Sequence, residues 1–335
     1  MEIFDNIAIS SRIRLARNVE GLKFYTKVDS DVEAKYITGS VMRTLEKFDV
    51  FNFLSLKDLS LNECNALFEQ HLISRELIAN KDISGVAISE DEKIIVMINE
   101  EDHIREQCIE KGFNLYKPYR RLSEIDDEIL ASLPISYDEN WGFITASPSN
   151  LGSGMRASVM LFLPALELTG KIEEIFTRAS ENGLTIRGIY GEGSKAVGYF
   201  YQISNQSSLG LSEDEIIDKV SEFIYAVCNE EAEMRQYLIT EEEEKYKDLA
   251  FRTYGILTNC YSLNENEMME LLAQIKLGQV LGFLEIDSNE KFQKLFHEGA
   301  SANLKEIFEL EDKKKENIKR AEYISNKVKE LTRRG

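Results

Sequence analysis

A chain of 335 residues with 43% hydrophobic content can bury one large core or two moderate ones, and the usual size of a domain favours two. Its 59 acidic and 40 basic residues leave a formal charge of −19, which argues against a nucleic-acid or anionic-membrane partner and leaves any anion pocket to be built from local arginines. Cys64, Cys108, Cys228 and Cys260 form no CxxC pair, no basic segment precedes an apolar core at the N-terminus, and no apolar run is long enough to span a bilayer, so a soluble cytoplasmic protein with reduced thiols is expected.

In chain order, SSRIRLAR (10–17) reads as a strand with Arg12 and Arg14 on one face, followed closely by Arg17. Residues 31–48 carry Val32, Ala34, Ile37, Val41, Leu45 and Phe48 at three- and four-residue steps and predict a helix. The apolar run IIVMI (94–98) predicts a strand, and NEEDHIR (99–105) then places Glu100, Glu101 and Asp102 where a sheet hands over to a loop, with His103 and Arg105 available to neutralise part of their charge. Next come a strand at GFITA (142–146), a Gly- and Ser-rich loop, and a helix over 155–167. In that arrangement the loop and the helix start would aim backbone N–H groups at an anion, with Arg156 in the first turn, while Met155, Val159 and Met160 read as packing residues. A helix at 170–182 stops at Gly183.

Strands are predicted at LTIRGIY (184–190) and VGYFYQIS (197–204). Between them Gly188 to Lys195 nearly spells a phosphate-binding loop, but the order is Gly-Ser-Lys and a strand follows, so the reading is a glycine-rich hairpin with Arg187 and Glu192 on its approach side. Ser212 and Glu215 form a capping box that opens a helix to about Leu238. The charge run TEEEEKYKD (240–248) reads as a solvated helix face or linker, and only helices are expected beyond it. The pattern divides the chain into a mixed α+β domain, 1–240, and an all-α domain, 241–335.

Taken singly, these motifs also fit a surface turn, a packing loop, a plain hairpin and a solvated sheet face. Together, arginines beside glutamates suit a site that holds a polyphosphate and a guanidinium, because phosphoryl transfer depends mainly on positioning and charge neutralisation.

In this order the runs HLIS (71–74), NEEDHIR, SNLGSGMRASVM (149–160), RGIYGEGS (187–194), YQISNQSSLGLSEDEII (201–217), FRTYGIL (251–257) and KLGQVLGFL (276–284) resemble the phosphagen kinase superfamily, the ATP:guanido phosphotransferases. The likeness covers nearly the whole chain and is greatest to the bacterial branch, the protein arginine kinases. It implies ATP-dependent phosphorylation of an arginine guanidinium, on a glutamine-synthetase-like antiparallel sheet flanked by helices and followed by an all-α domain for dimerisation or regulation. By the same resemblance the nucleotide clamp falls on Ser11, Arg12 and Arg14, with His71 beside the base and Arg105, Arg156 and Arg187 around the phosphates. Ala157, Ser158, Val159, Met160, Gly188 and Gly191 complete the nucleotide site, and Glu101 and Glu192 are the catalytic carboxylates. No protein metal ligand is implied, Mg²⁺ arriving with ATP.

The implied partners are arginine-bearing protein substrates, a zinc-binding activator and a Clp ATPase, with a homodimer serving protein quality control under stress. Two alternatives remain: an adaptor that binds ATP or arginyl proteins but transfers phosphate poorly, and a phosphagen kinase acting on a free guanidino compound. The chain departs from the family pattern at Ser147, where a cysteine is usual, so a slower reaction is expected. The second departure is Glu316-Asn317-Ile318-Lys319-Arg320-Ala321, where an RDxxRA element would read phosphoarginine. Glu-Asn in place of Arg-Asp removes a phosphate-binding cation and adds an anion, so that regulation is expected to be lost.

Overall fold

The computed structural model describes Phe4 and residues 6–24, 31–48, 50–188, 196–310 and 313–335. Its centre is an eight-stranded antiparallel sheet. In chain order the strands are β1 (Ala8–Arg17), β2 (Phe51–Ser55), β3 (Gly85–Ser89), β4 (Ile94–Ile98) and β5 (Ile104–Lys111), then a separate small hairpin of β6 (Tyr137–Asp138) and β7 (Gly142–Phe143), then β8 (Met155–Phe162), β9 (Leu184–Gly188) and β10 (Phe200–Asn205). Across the sheet the order is β2-β3-β4-β5-β1-β8-β10-β9, so the NEEDHIR turn joins neighbours and β1 lies between β5 and β8.

The two faces of the sheet differ because side chains alternate along each strand. Ile13 and Leu15 of β1, Cys108 of β5 and Ala157, Val159 and Leu161 of β8 enter one apolar cluster. Helices Asp31–Leu45, Tyr116–Ser132, Ile172–Glu181 and Glu213–Glu241 cover that face through residues such as Ile37, Leu122, Ile175 and Ile224. The other face carries Arg12, Arg14, Arg156 and Gln202. At one end it is covered by the helices Leu61–Glu69 and Arg75–Ala79, whose Cys64 and Leu77 pack with Ile95 and Met97. At the other end the helical segment after residue 242 packs against Phe162 and Phe200. A cleft remains between them.

The 31–48 helix forms over Asp31–Leu45 with a 3₁₀ turn at Glu46–Phe48, although Val32 stays 75% exposed. The 170–182 helix forms over Ile172–Glu181, and Gly183 takes the expected left-handed conformation (φ 63°). The capping box at Ser212 and Glu215 is present and opens Glu213–Glu241; Glu243–Leu257 begins one residue beyond Glu242, and the charge run is solvent-exposed over most of its length.

Three expectations are corrected. Residues 155–162 form strand β8 and only Pro164–Leu168 is helical; the apolar run that continues past the strand masks its period-two alternation. Of GFITA, only Gly142–Phe143 is extended. Beyond residue 240, β11 (Leu284–Ile286) pairs with β12 (Thr332–Arg334), each too short to show a period.

Candidate active site

Register brings the predicted arginines together. Arg14 lies opposite Gln107 of β5 and Arg156 of β8, Arg12 opposite Ser158, and Gln202 of β10 opposite both Met160 and Arg187. Arg12, Arg14, Arg105, Arg156 and Arg187 line a cleft of about 400 Å³ that also contains Glu101 and His71. A smaller cavity of about 90 Å³ adjoins it, bounded by Arg14, Glu101, Arg105, Ser147 and Arg156. A third, of about 770 Å³, shares Arg12, His71, Arg187 and Gln202 with the cleft and adds Ser158, Met160 and Gly188.

Among the described residues the cleft holds more cation than its own acids neutralise. Burial and then the neighbouring charges of Arg105 and Arg156 lower Arg12 to about 10, and burial followed by Arg187 and Arg105 brings Arg156 to about 10. Arg14 is pushed well below its ordinary value by burial and by Arg12, Arg105 and Arg156. Its Nε is buried and has no hydrogen-bond partner among the described residues. Such a donor is costly unless something accepts from it, and mutual repulsion among the guanidinium groups is relieved by an anion between them. These residues therefore fit a polyphosphate.

The three successive acids have separate fates. Glu100 is fully buried and pairs with Arg105, while its Oε2 accepts from the Glu101 amide at 3.0 Å. Burial would raise Glu100, but Arg105 outweighs it and holds the carboxyl below its ordinary range. Burial opposes the charge on Arg105 as well, and Glu100 overcomes that and raises it. Asp102 is buried and accepts from Asn18 Nδ2 at 2.6 Å and the Ala146 amide at 2.7 Å, fastening the turn to the 144–147 segment. Glu101 has no such fastening among the described residues and lines both smaller cavities; burial, then Asp102 and Glu100, raise its carboxyl. That environment suits a proton acceptor.

His103 does not neutralise this run. Its Nδ1 accepts from the Val19 amide at 3.0 Å and its Nε2 contacts the Lys23 carbonyl at 2.7 Å, so the ring ties the turn to the segment after β1. Arg17 is likewise structural, 1% exposed, paired with Asp126 at 2.7 Å and 3.7 Å from the centre of the Phe143 ring. His71 sits at φ 62° and stacks edge-on against His297, the ring centres 5.1 Å apart. Burial, His297 and Arg12 lower it to about 3, so the imidazole is neutral.

Several expected site residues are placed elsewhere. Ser11 faces away from the cleft, donating to the Gly112 carbonyl at 2.8 Å and accepting from the Asn114 amide at 3.0 Å. Ala157 and Val159 are fully buried in the core under the opposite face. Arg156 opens no helix and lies on β8. The glycines of SNLGSG serve packing: a Cβ on Gly154 would stand 2.8 Å from the Ala16 carbonyl oxygen, and one on Gly152 2.6 Å from that of Ser208. Gly191 and Glu192 lie outside the described residues. Sequence reasoning missed Ser204, whose Oγ accepts from Arg156 at 3.0 and 3.3 Å, and Gln107, whose Nε2 donates to the His71 carbonyl at 3.1 Å. The alternation that put Arg12 and Arg14 on one face would have found Ser204 opposite Ser158 once the strands were paired.

In the C-terminal segment Arg320 is 1% exposed and saturated. It pairs with Glu316 at 2.6 Å and donates to Asn317 Oδ1, Ser301 Oγ and the carbonyls of Gly299 and Leu263. The Glu316 carboxylate thus takes up an Nη2 donor of Arg320.

A sheet face of clustered guanidinium groups around a carboxylate defines the class: a phosphotransferase that neutralises phosphate with arginine in place of a glycine-rich loop. The model of the ATP:guanido phosphotransferase C-terminal catalytic domain matches residues 33–234, and that of the protein-arginine kinase McsB C-terminal domain matches 243–335. The chain is 40% identical over 331 residues to a protein-arginine kinase of Clostridium acetobutylicum, covering 97% of each, and 42% identical over 289 residues to one of Staphylococcus haemolyticus, covering 86% of this chain and 85% of the other. Among solved structures, the duplicated taurocyamine kinase of Schistosoma mansoni superposes with a TM-score of 0.63 at 25% identity, over 77% of this chain and 39% of that one. A lombricine kinase gives 0.59 at 26% identity, over 68% and 66%. The chain belongs to the ATP:guanido phosphotransferase family, in its protein-arginine kinase branch.

Proposed function

We propose that the chain transfers the γ-phosphoryl group of Mg·ATP to arginine side chains of proteins. The observation that carries this reading is the meeting of Arg12, Arg14, Arg105, Arg156 and Arg187 with Glu101 around one cleft. The arginines hold the phosphates, with Glu100 fixing Arg105 and Ser204 steering Arg156. His71, Ser158, Met160 and Gly188 bound the space for the nucleoside. A guanidinium has a pKa above about 12 and is a poor nucleophile while protonated. Glu101 takes its proton as the substrate nitrogen bonds to the γ-phosphorus, the bond from phosphorus to the β,γ-bridging oxygen breaks, and ADP leaves. Glu192 is the second carboxylate holding the guanidinium. Mg²⁺ carried by the nucleotide would supply further neutralisation of the phosphate charge.

In this reading residues 1–240 are the catalytic domain and 241–335 a helical dimerisation or regulatory domain of a cytoplasmic homodimer. Its substrates are marked for Clp-type proteolysis as part of stress response, with a zinc-binding activator as partner. The names of the relatives favour a protein substrate over a free guanidino compound. No helix among the described residues is long and apolar enough to cross a membrane. The saturated Arg320 supports loss of phosphoarginine sensing at that element.

The test is incubation with γ-labelled ATP and an unfolded protein. Acid-labile label on arginine is expected in wild type, with a loss of about 10² or more in Glu101→Gln and Glu192→Gln. ATP binding without transfer would leave an adaptor, and label on free arginine alone would leave a small-molecule kinase.

A further inference from the structure

The 770 Å³ cavity has two walls of different origin. One comes from the large sheet. The other comes from the C-terminal helical segment: Lys276 of the Glu265–Val280 helix, and Gln293, Phe296 and His297 of the Asn289–Glu298 helix. The volume suits a nucleoside, and the lining mixes Ile9, Ile109, Met160, Phe200 and Phe296 with the amides of Gln202 and Gln293. It opens onto the arginine cleft, since Arg12, His71, Arg187 and Gln202 line both spaces. Phosphates held by the arginines therefore project the base and ribose into this cavity.

Lys276 is the anomaly in its wall. It is 3% exposed, yet forms no hydrogen bond or ion pair among the described residues; its ammonium lies 5.5 Å from the centre of the Phe162 ring. Arg235, whose charge bears on Lys276, is itself committed: it pairs at 2.8 Å with Glu231, which is fully buried and accepts from the amides of Ala165 and Leu166. Burial and then the charge of Arg235 lower Lys276 to about 8. A lysine sequestered beside an arginine with no acceptor of its own costs stability unless a ligand completes it.

We propose that Lys276 is a nucleotide-binding residue, its ammonium donating a hydrogen bond to an acceptor on the base or ribose, so that the C-terminal helical segment forms part of the ATP site. This rests on the phosphotransfer reading above. Lys276→Met keeps the apolar stem and removes the donor. Titration calorimetry on the full chain is expected to show ATP affinity weakened about tenfold or more, with the affinity for inorganic tripolyphosphate, which has no nucleoside, within twofold of wild type. Steady-state kinetics should show the loss in KM for ATP, and Lys276→Arg should recover part of it. Equal ATP affinity in wild type and a folded Lys276→Met overturns the proposal while leaving the phosphotransfer reading intact; a wild-type chain that binds neither ligand overturns both. Should Lys276→Met not fold, photolabelling of wild type with 8-azido-ATP decides. Label in peptides from 265–298 supports the proposal, and label confined to residues 6–204 overturns it.

Discussion

Glu100, Glu101 and Asp102 share charge, neighbourhood and backbone, yet among the described residues only Glu101 is left unfastened in the cleft. Its raised carboxyl has a kinetic sign. In the proposed mechanism the ionised form accepts the proton, so transfer is lost as pH falls through its pKa, and because burial and two neighbouring acids raise that value, the acid limb of kcat/KM should lie above the ordinary glutamate value of 4.5. A pH profile of transfer at subsaturating substrate checks this, and a limb at or below 4.5 would contradict the assignment. Ser147 invites the second residue-level prediction. It lines the small cavity with Arg14, Arg105 and Arg156 and shares a hydrogen bond of 2.9 Å with Ser149. A thiol there would be stabilised as thiolate by the cations, so Ser147→Cys should raise kcat several-fold, read alongside the pH dependence of its alkylation. Arg12 and Arg14 were legible from spacing alone, whereas Ser11, Ala157 and Val159 followed from motif membership and the pleat sends them to the other face.

Among the elements, β8 is the instructive misreading. Its alternation of Arg156, Ser158 and Met160 against Ala157, Val159 and Leu161 was present in the sequence, but the apolar run continuing through Leu166 mimicked a helix face. No local pattern announces that residue 276 lines the same cavity as residue 160, because that arrangement depends on packing between distant segments. The same packing produces an unusual cap. The Ser301–Phe308 helix has Ala300 at its N-cap, with no side-chain oxygen to offer, and Glu69 from the Leu61–Glu69 helix accepts instead from the Ala302 and Asn303 amides at 2.8 to 3.0 Å. Loss of a cap costs about 0.5 to 2 kcal/mol. Glu69→Ala should destabilise the chain by roughly that amount in denaturant melts, with faster amide exchange in 301–308 than in the central strands. Exchange unchanged in that helix would show the contact to be dispensable.

For the whole molecule, the helical segment after residue 242 packs on Phe162 and Phe200 of the central sheet, and the Glu69 cap, the His71–His297 stack and a Lys111–Glu290 pair at 2.9 Å hold it against the other end of the cleft. A nucleotide bound between these walls should stabilise them together. Saturating Mg·ATP at a hundred times its Kd should add about 2.7 kcal/mol, seen as one cooperative shift in calorimetry and slower exchange in both the β8 region and the 265–298 helices. A shift confined to the sheet would separate the two. The antiparallel sheet and its flanking helices could be anticipated from motif order, while the closure of the cavity by the C-terminal segment could not.

The turn at 99–103 has a consequence for how this catalyst tolerates change. In the proposed mechanism its three acids act as strut, reagent and latch only because Asn99, at φ 59° and bonded through Nδ2 to Ala34, Thr38 and Ile83, sets the phase of the turn. Deleting or inserting one residue there would keep every charge and hand each job to the wrong side chain, so the length of this run should be intolerant even where its individual identities can drift.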